Sequence, residues 1–362
     1  MNDLLGRIKG AGRGGDVLAD SPFFKRSEYV TTEIPIINAA FSGKVDGGLV
    51  SGLTILAGAS KSFKTLLALY CMKSYFNKYP DAIAIIYDSE FGITPQYLKS
   101  FGIDTSRILH VPIEHIEQLK FDMSKRLSEI KRGDRVFIMV DSLGGLASKK
   151  EIEDAADEKS VADMTRAKAI RSLLRIITPT LSSKDIPMLV INHVYQTMEL
   201  YAKSVVGGGS SVMYSANQVF IITKAQEKDT SGVVGWNFTI NIEKSRYVKE
   251  KSKLEFNVLY DRGINRWSGL LDLASESGHI EKVRARGYVY KRIDQTTGEV
   301  EATGYSEEQT NTAEFWTPVL NCPKFKAFVE KKYCIAYGDM LREESLQDED
   351  DANEVFDNLD EE

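Results

Sequence analysis

The sequence has few of the residues that hold small secreted or zinc-binding proteins together. Its three cysteines, Cys71, Cys322 and Cys334, lie far apart and show neither disulfide-framework spacing nor metal-ligand spacing. With only four histidines in 362 residues, a zinc site is not expected. This pattern excludes a fold held by disulfides and is typical of a reducing compartment.

Long hydrophobic segments are also missing. The longest apolar runs are AIAIIY at 82–87, VFIMV at 136–140 and MLVI at 188–191, each far shorter than the roughly 20 residues of a membrane-spanning helix. The first ten residues, MNDLLGRIKG, lack the apolar stretch of a secretory signal. Because 43% of the residues are hydrophobic, we expect a globular protein with a large core and no membrane partner.

An excess of positive charge, which is usual in proteins that bind nucleic acid, is absent from the chain as a whole. The formal net charge is −6, from 46 Lys and Arg against 52 Asp and Glu. Residues 343–362, however, contain eleven acidic residues and no basic one, so residues 1–342 carry +5. The sequence thus predicts a mildly basic body with an acidic tail, and its charge does not exclude a polyanionic partner.

The core shows apolar strands alternating with helices. The alternation predicts strands at 53–58, 82–90, 107–112, 135–143 and 186–193, and helices at 64–79, 97–101, 117–131 and 164–178. It is typical of an α/β fold with a mostly parallel sheet flanked by helices. Later strands at 218–225, 237–245 and 254–260 follow one another without helices, which predicts an antiparallel extension of the sheet.

Composition divides the chain into four segments. We predict a short basic, glycine-rich arm at 1–29, the core at 30–270, a small α+β C-terminal domain at 271–342 and a disordered acidic tail at 343–362. The small domain is expected to contain helices at 271–278 and 324–332. Between them, the sequence predicts a hairpin at 286–306 that turns near Thr297 and Gly298.

The strongest chemical signal is GASKSFKT at 58–65, between a strand and a helix. Gly58, Lys64 and Thr65 have the spacing of a phosphate loop, in which backbone N–H groups and an ammonium bind phosphates and a hydroxyl binds Mg²⁺. The predicted nucleotide-binding residues are Gly58, Ala59, Ser60, Lys61, Ser62, Phe63, Lys64 and Thr65. Phe63 replaces the usual second glycine, and we expect a side chain there to require a negative φ and a locally different loop. The alternative is a polar turn with an incidental Lys-Thr pair.

Two acidic residues follow predicted strands of the same sheet. Asp141 ends VFIMV, as expected for a carboxylate that holds Mg²⁺ through water. Glu90 ends AIAIIYDS and is a candidate to orient or deprotonate an attacking water. The alternative for Asp141 is a helix or turn cap, and the alternative for Glu90 is an ordinary acidic residue at a strand end. Together with the phosphate loop they predict an ATPase or an ATP-dependent switch.

The order of these segments resembles the RecA family. The resemblance is carried by GASKSFKT at 58–65, IIYDSEFGITPQYL at 85–98, MVDSLGGLASKKE at 139–151, VINHVYQTMEL at 190–200 and VVGGGSSVMYSAN at 205–217. It covers the whole chain and is greatest for the UvsX-type strand-exchange recombinases of T-even-like bacteriophages. It implies a RecA-like P-loop ATPase core with ATP and Mg²⁺ as cofactors.

The resemblance also implies roles for individual residues. Lys64 and Thr65 would bind phosphate and Mg²⁺, Asp141 would be the magnesium acid, and Glu90 the catalytic carboxylate. Tyr97 lies where the family stacks a tyrosine on adenine, although a tyrosine on a helix face is also a common core residue.

Three further residues are implied in catalysis. His193 occupies the position of a glutamine that senses the γ-phosphate in bacterial relatives, and the alternative is a buried, hydrogen-bonded histidine. Lys244 and Arg246 lie where the family places cations that reach the ATP of a neighbouring subunit, and the alternative is a solvated basic strand end.

Two loops would face DNA. The first spans roughly 148–163 and is acidic enough to be an ordinary surface loop. The second runs from 194 to 211, and its glycines, hydroxyls and aromatics suit a sequence-independent grip on single strands. Its predicted DNA-binding residues are Tyr195, Tyr201, Lys203, Gly207, Gly208 and Gly209.

The implied function is homologous recombination, in which an ATP-dependent filament on single-stranded DNA pairs with homologous duplex and exchanges strands. Expected partners are these DNAs, further copies of the chain, a phage single-strand-binding protein and a recombination mediator, in the host-cell cytoplasm. Two other functions stay open: a ring helicase on a related core, and a non-catalytic ATP-regulated assembly factor for DNA repair.

Overall fold

The protein is described by a computed structural model that covers residues 2–11, 15–21, 28–157, 165–196, 204–230, 232–285 and 287–335. The predicted tail at 343–362 and two predicted DNA-binding residues, Tyr201 and Lys203, lie outside the described residues. None of the helices within these ranges is both long enough and apolar enough to cross a bilayer.

The strands follow the predicted order, with small shifts at their ends. Those of the main sheet are β1 (Gly52–Gly58), β2 (Ile83–Asp88), β3 (Ile108–Pro112), β4 (Val136–Asp141), β5 (Pro187–Asn192), β8 (Gln218–Asp229), β9 (Gly232–Ser245), β10 (Lys253–Leu259) and β11 (Gly263–Ile264). Two hairpins add β6 (Val194–Gln196) with β7 (Ser204–Val206), and β12 (Ile280–Ala285) with β13 (Gly287–Arg292).

The helices pack mainly on the faces of this sheet or form the terminal segments. They are α1 (Asn2–Ala11), α2 (Pro35–Ser42), α3 (Lys64–Lys78), α4 (Pro95–Ser100), α5 (Ile116–Glu129), α6 (Lys149–Ala156), α7 (Thr165–Lys184), α8 (Ser210–Ser215), α9 (Leu270–Glu276), α10 (Ala313–Asn321) and α11 (Pro323–Tyr333). The helix α1 lies in the predicted arm. The helices α2, α6, α8 and α10 were not predicted.

Within the described ranges, the main sheet has the order β11-β10-β9-β8-β1-β5-β4-β2-β3. The strands from β8 to β3 run parallel, and β9, β10 and β11 extend the sheet antiparallel. Two buried hydrophobic clusters cover its two faces, one including α3 and the other including α5 and α7. The expected α/β architecture is confirmed, including the antiparallel extension.

The hairpin predicted at 286–306 is confirmed only in part. The antiparallel bridges Tyr290–Tyr305 and Ile293–Val300 pair across the predicted turn near Thr297 and Gly298. The longer ladder among the described residues joins β12 to β13 instead, in a register that pairs Ile280 with Arg292. The Thr-Thr-Gly sequence does form a turn, but the longer ladder closes between Ala285 and Gly287.

The topology positions the predicted site residues at one edge of the sheet. The parallel strands β1, β2, β4 and β5 are neighbours or near neighbours, and each ends at the same edge. The phosphate loop follows β1, Glu90 follows β2, Asp141 ends β4 and His193 follows β5. In α/β sheets this carboxyl edge is where ligands bind.

Candidate nucleotide site and DNA-facing hairpin

An open pocket at the carboxyl edge of the sheet contains side chains from four separate segments. Its lining residues are Ser60, Lys61, Ser62, Phe63, Lys64, Thr65, Leu66, Glu90, Tyr97, Asp141, Ile191 and His193. Predicted phosphate-binding, metal-binding, adenine-stacking and catalytic residues therefore share one cavity. A bound nucleotide would contact all four segments at once.

The phosphate loop holds its lysine against its own backbone. Lys64 Nζ donates a hydrogen bond of 2.6 Å to the Ala59 carbonyl oxygen and lies 3.3 Å from Ser62 Oγ. Gly58 admits no side chain, because a Cβ there would lie 2.5 Å from the Ile222 carbonyl oxygen. Burial lowers the pKa of Lys64, against the opposing effect of Glu90 and Asp141. A desolvated ammonium so placed has a strong electrostatic preference for an anion.

The expectation for Phe63 is wrong: its φ is +68°, which is the left-handed conformation usually reserved for glycine. The Phe63 ring packs 5.0 Å from the ring of Phe238 and 5.4 Å from that of Phe256. Because a left-handed non-glycine residue costs about 1–3 kcal/mol, this aromatic contact is the compensation that the sequence could not reveal. The loop therefore keeps the glycine-like backbone path and adds a side-chain anchor.

Asp141 and Thr65 form the candidate metal site. Thr65 Oγ1 donates a hydrogen bond of 2.9 Å to Asp141 Oδ2, while Asp141 Oδ1 is buried and accepts none from the described residues. Burial, reinforced by the charges of Glu90 and Asp88, raises the pKa of Asp141 to about 6. A buried carboxylate oxygen without a partner, next to a hydroxyl, fits Mg²⁺ and its water ligands.

Glu90 lines the same pocket and is held by hydrogen bonds. Its Oε1 accepts a hydrogen bond of 2.6 Å from Ser142 Oγ and lies 3.6 Å from His193 Nε2. The backbone N–H of Glu90 donates to Asp88 Oδ1 at 3.0 Å. About half of the Glu90 side chain is exposed, so a carboxylate is available to a water molecule in the pocket.

His193 is half-exposed in the pocket, which argues against the alternative of a buried core histidine. Tyr97 lines the same pocket and packs edge-on against Phe101, with 4.9 Å between ring centres. Burial raises the pKa of Tyr97. The contact with Phe101 fixes the tyrosine ring at the wall of the pocket, where a flat base could stack on it.

Lys244 and Arg246 are not among the described residues that line this pocket. Lys244 Nζ instead donates hydrogen bonds to the carbonyl oxygens of Met213 at 2.6 Å and Tyr214 at 3.2 Å, both in α8. Burial lowers the pKa of Lys244, and the charge of Arg246 acts in the same direction. The structure thus separates these two cations from the pocket of their own chain.

The second predicted loop is a hairpin, β6–β7, whose base is bonded to the end of β5. Asn192 Nδ2 donates to the Gly207 carbonyl oxygen at 2.7 Å, and the Gly207 N–H donates to the His193 carbonyl oxygen at 2.9 Å. Tyr195 is 55% exposed on this hairpin. Gly208 and Gly209, with φ of +90° and +74°, lead into α8.

The first predicted loop begins as a helix rather than a loop. Ser148 and Glu151 form a reciprocal capping box at the start of α6. Arg166 donates hydrogen bonds to the carbonyl oxygens of Leu146 at 2.7 Å and Gly144 at 2.9 Å, which fixes the segment after Asp141. Residues 158–163 of this loop lie outside the described residues.

The sequence interpretation missed Asn192, Asp88, Ser142 and Arg166, which hold the catalytic side chains or the loops that follow them. A signal was present in one case, since Asp88 stands two residues before Glu90 at a strand end. Asn192, buried beside His193, carries no such signal. Its role depends on Gly207, fifteen residues later in the chain.

Comparison with known proteins decides the family. The model of the RecA N-terminal domain matches residues 31–265, and residues 267–329 match the C-terminal domain of the recombination and repair protein of bacteriophage T4. The chain belongs to the RecA family. The resemblance that the motifs predicted is thereby confirmed.

Individual relatives give the same result. The chain is 49% identical over 337 residues to the recombination and repair protein of Enterobacteria phage T4, covering 92% of this chain and 86% of the relative. It is 25% identical over 307 residues to RecA of Salinispora arenicola, covering 81% and 86%. With RecA of a Nocardioides species it shares 24% identity over 271 residues, covering 74% and 75%.

Proposed function

We propose that this chain is a DNA-dependent ATPase that catalyses homologous pairing and strand exchange between single-stranded DNA and duplex DNA. The observation that carries the proposal is the connection between two sites in a RecA-family chain. The Asn192–Gly207 hydrogen bond joins the pocket containing Lys64, Asp141 and Glu90 to the base of a surface hairpin. Recombination and repair is also the named role of the T4 relative.

The pocket residues support hydrolysis of ATP. Lys64 and the backbone N–H groups that follow β1 would bind the phosphates, and Tyr97 would stack on the adenine. Thr65 and Asp141 would hold Mg²⁺, which neutralises charge on the phosphate oxygens. Glu90 would orient a water molecule and accept its proton, while Ser142 Oγ keeps the carboxylate turned toward the pocket.

His193 is placed to report the state of the phosphates to the hairpin. Its ring lies 3.6 Å from Glu90, and its own carbonyl oxygen accepts the hydrogen bond from Gly207. A contact between the ring and a terminal phosphate would therefore move the residue to which the hairpin is bonded. This gives ATP binding and DNA binding a shared structural element.

The DNA-facing surface has the properties of a grip on the backbone. Tyr195 is exposed on the hairpin, and α7, which packs against α8, has exposed cations at helical spacing: Lys168, Arg171 and Arg175. Cations at phosphate spacing with an aromatic ring nearby favour sequence-independent binding of single strands. Specificity would then come from base pairing between the two DNAs.

Assembly completes the proposal. Because Lys244 and Arg246 lie away from the pocket of their own chain, we propose that they reach the ATP of the next copy in a helical filament. On assembly, Lys244 would then give up its hydrogen bonds to the Met213 and Tyr214 carbonyl oxygens. The phage single-strand-binding protein and a recombination mediator are proposed as further partners, and the host-cell cytoplasm as the place of action.

The direct test is ATP hydrolysis with and without single-stranded DNA. We expect stimulation in the wild type and no activity in Lys64→Ala. Glu90→Gln should bind ATP normally but hydrolyse it roughly 10²–10⁴ times more slowly, because only the general base is removed. Normal hydrolysis by Glu90→Gln would contradict the assignment of Glu90 as the general base. A wild-type hydrolysis rate that is the same with and without single-stranded DNA would contradict the proposed coupling between ATP hydrolysis and DNA binding.

A further inference from the structure

Lys224 lies in β8, beside the phosphate loop but far from it in sequence. Its Nζ donates a hydrogen bond of 3.0 Å to the carbonyl oxygen of Lys61 in that loop. The same ammonium lies 4.5 Å from the centre of the Trp236 ring on β9. The cation–π contact restricts the side chain on one side, and the hydrogen bond ties its end to the loop.

The loop needs such support because two of its residues have left-handed backbone without being glycine. These are Lys61, with φ of +58°, and Phe63, with φ of +68°. A left-handed conformation is unfavourable for residues with a side chain and persists only where the surroundings hold it. In this loop, the replacement of glycine by Phe63 has removed the usual source of conformational freedom.

Both left-handed residues are held by the same strand pair. Lys224 and Phe238 are direct partners in the β8–β9 ladder. Lys224 binds the carbonyl oxygen of Lys61, and the Phe238 ring packs against Phe63. One polar and one aromatic contact, from facing positions, thus fix the two ends of the Lys61–Phe63 segment.

The charge of Lys224 also acts on Lys64 in the pocket. Burial lowers the pKa of Lys64, and the positive charge of Lys224 acts in the same direction. Two ammonium groups that repel each other at one loop are both stabilised when a polyanion binds there. The geometry and the charge therefore favour the same ligand.

We propose that Lys224 is a positioning residue for ATP, which holds the Lys61–Phe63 segment in the conformation that presents its backbone N–H groups to the phosphates. It does so through the Lys61 carbonyl oxygen. Conventional phosphate loops depend instead on the glycine that Phe63 replaces here. The inference rests on the ATPase function proposed above. It adds a residue outside the loop motif that sets the loop's affinity for nucleotide.

The test compares three variants of the full-length protein at saturating single-stranded DNA. Lys224→Met removes the ammonium, Lys224→Arg keeps a cation over Trp236, and Lys228→Met changes an exposed lysine of the same strand. We expect Lys224→Met to raise the KM for ATP about 5- to 10-fold with kcat changed less than twofold. Lys224→Arg should restore most of the affinity, and Lys228→Met should match the wild type.

Thermal unfolding of each variant separates positioning from folding. The proposal requires that Lys224→Met unfold within a few degrees of Lys228→Met while its KM differs. Equal KM values for the two variants would overturn it, as would a lower kcat and a lower unfolding temperature at unchanged KM. A wild type without DNA-stimulated hydrolysis would overturn the proposed function and this inference together.

Discussion

At the scale of single residues, Asp141 shows how burial adapts a carboxylate to a metal-dependent reaction. Burial and the nearby charges of Glu90 and Asp88 raise its pKa to about 6, and the Thr65 hydroxyl only partly opposes this. Without a cation, ionisation of Asp141 therefore costs more free energy in the folded protein than in the unfolded chain, although a pKa of about 6 leaves the carboxylate mostly ionised at neutral pH. Mg²⁺ would remove this cost, which couples the metal to the stability of the site.

Asp141→Asn should stabilise the metal-free protein at neutral pH. The folded-state pKa of about 6 lies above the ordinary value of 3.8, so the folded state ionises later than the unfolded chain. The wild type then loses stability as the pH rises from 4 through 6, by up to about 3 kcal/mol. We expect the variant to lack this loss, and urea denaturation at pH 5 and pH 7.5 in EDTA measures the part of it that falls between these two pH values, about 1.4 kcal/mol.

A matched control is Asp81→Asn, which changes an exposed carboxylate. Its stability should follow that of the wild type at both pH values. Metal-free Asp141→Asn that also follows the wild type would contradict the account of Asp141. A second consequence is that Mg²⁺ with ATP should stabilise the wild type and not the Asn variant.

At the scale of elements, the β6–β7 hairpin is the proposed connection between the nucleotide pocket and DNA. It begins directly after His193, and Gly207 closes its base against Asn192 and His193. A Cβ at Gly207 would lie 2.9 Å from Tyr195 Cε2 and 3.1 Å from Asn192 Oδ1. A side chain there would have to displace the exposed Tyr195 ring and would crowd Asn192 Oδ1, so the glycine favours the close return of the hairpin to β5.

Gly207→Ala should weaken the effect of ATP on DNA binding without abolishing hydrolysis. The added methyl group displaces the hairpin base from β5, while Lys64, Asp141 and Glu90 are unchanged. We expect the gain in single-strand affinity on adding a non-hydrolysable ATP analogue to fall roughly 5- to 10-fold. Fluorescence anisotropy of labelled oligonucleotide measures it at fixed salt.

Gly145→Ala is the control, because a Cβ at Gly145 meets nothing closer than Ser142 Oγ at 3.6 Å. This variant should keep the full response to the nucleotide. If Gly207→Ala keeps it as well, the hairpin base is not the connection between the two sites.

Regular elements of the core were predictable because their hydrophobic pattern matches their burial. The strand β4, for example, is buried at every position and reads as a continuous apolar run. The helix α2 was missed because all eight of its residues are buried, Asn38 and Ser42 included, so it lacks the charged, solvent-facing side that marks a surface helix. The helix α10 contains Pro318, which interrupts a helical reading of the sequence.

The candidate site was predictable where its chemistry lies within a motif, as with Lys64, Thr65 and the strand-end acids. It was not predictable where a contact joins distant segments. The backbone of Phe63 depends on Phe238, and the hairpin base depends on Asn192. Neither pair can be found by spacing, because tertiary packing alone brings its members together.

At the scale of the whole molecule, the charge distribution and the sheet topology agree with a DNA-dependent ATPase. The body at 1–342 carries +5 although the chain carries −6, and α7, which packs against α8, carries the exposed cations Lys168, Arg171 and Arg175. The predicted ATP-binding residues lie at one edge of the sheet, and Asn192 at the end of β5 connects that edge to the hairpin. Because Lys244 and Arg246 do not line the pocket of their own chain, the proposed filament would make full activity depend on adjacent copies.

The most direct measurement of the central claim is the formation of joint molecules between single-stranded DNA and duplex DNA. With ATP and Mg²⁺, the wild type should form them with homologous duplex and not with heterologous duplex. Lys64→Ala should form none, because the phosphates lose their buried cation. Joint molecules formed equally well by Lys64→Ala, or by the wild type without ATP, would contradict an ATP-dependent recombinase built on this pocket.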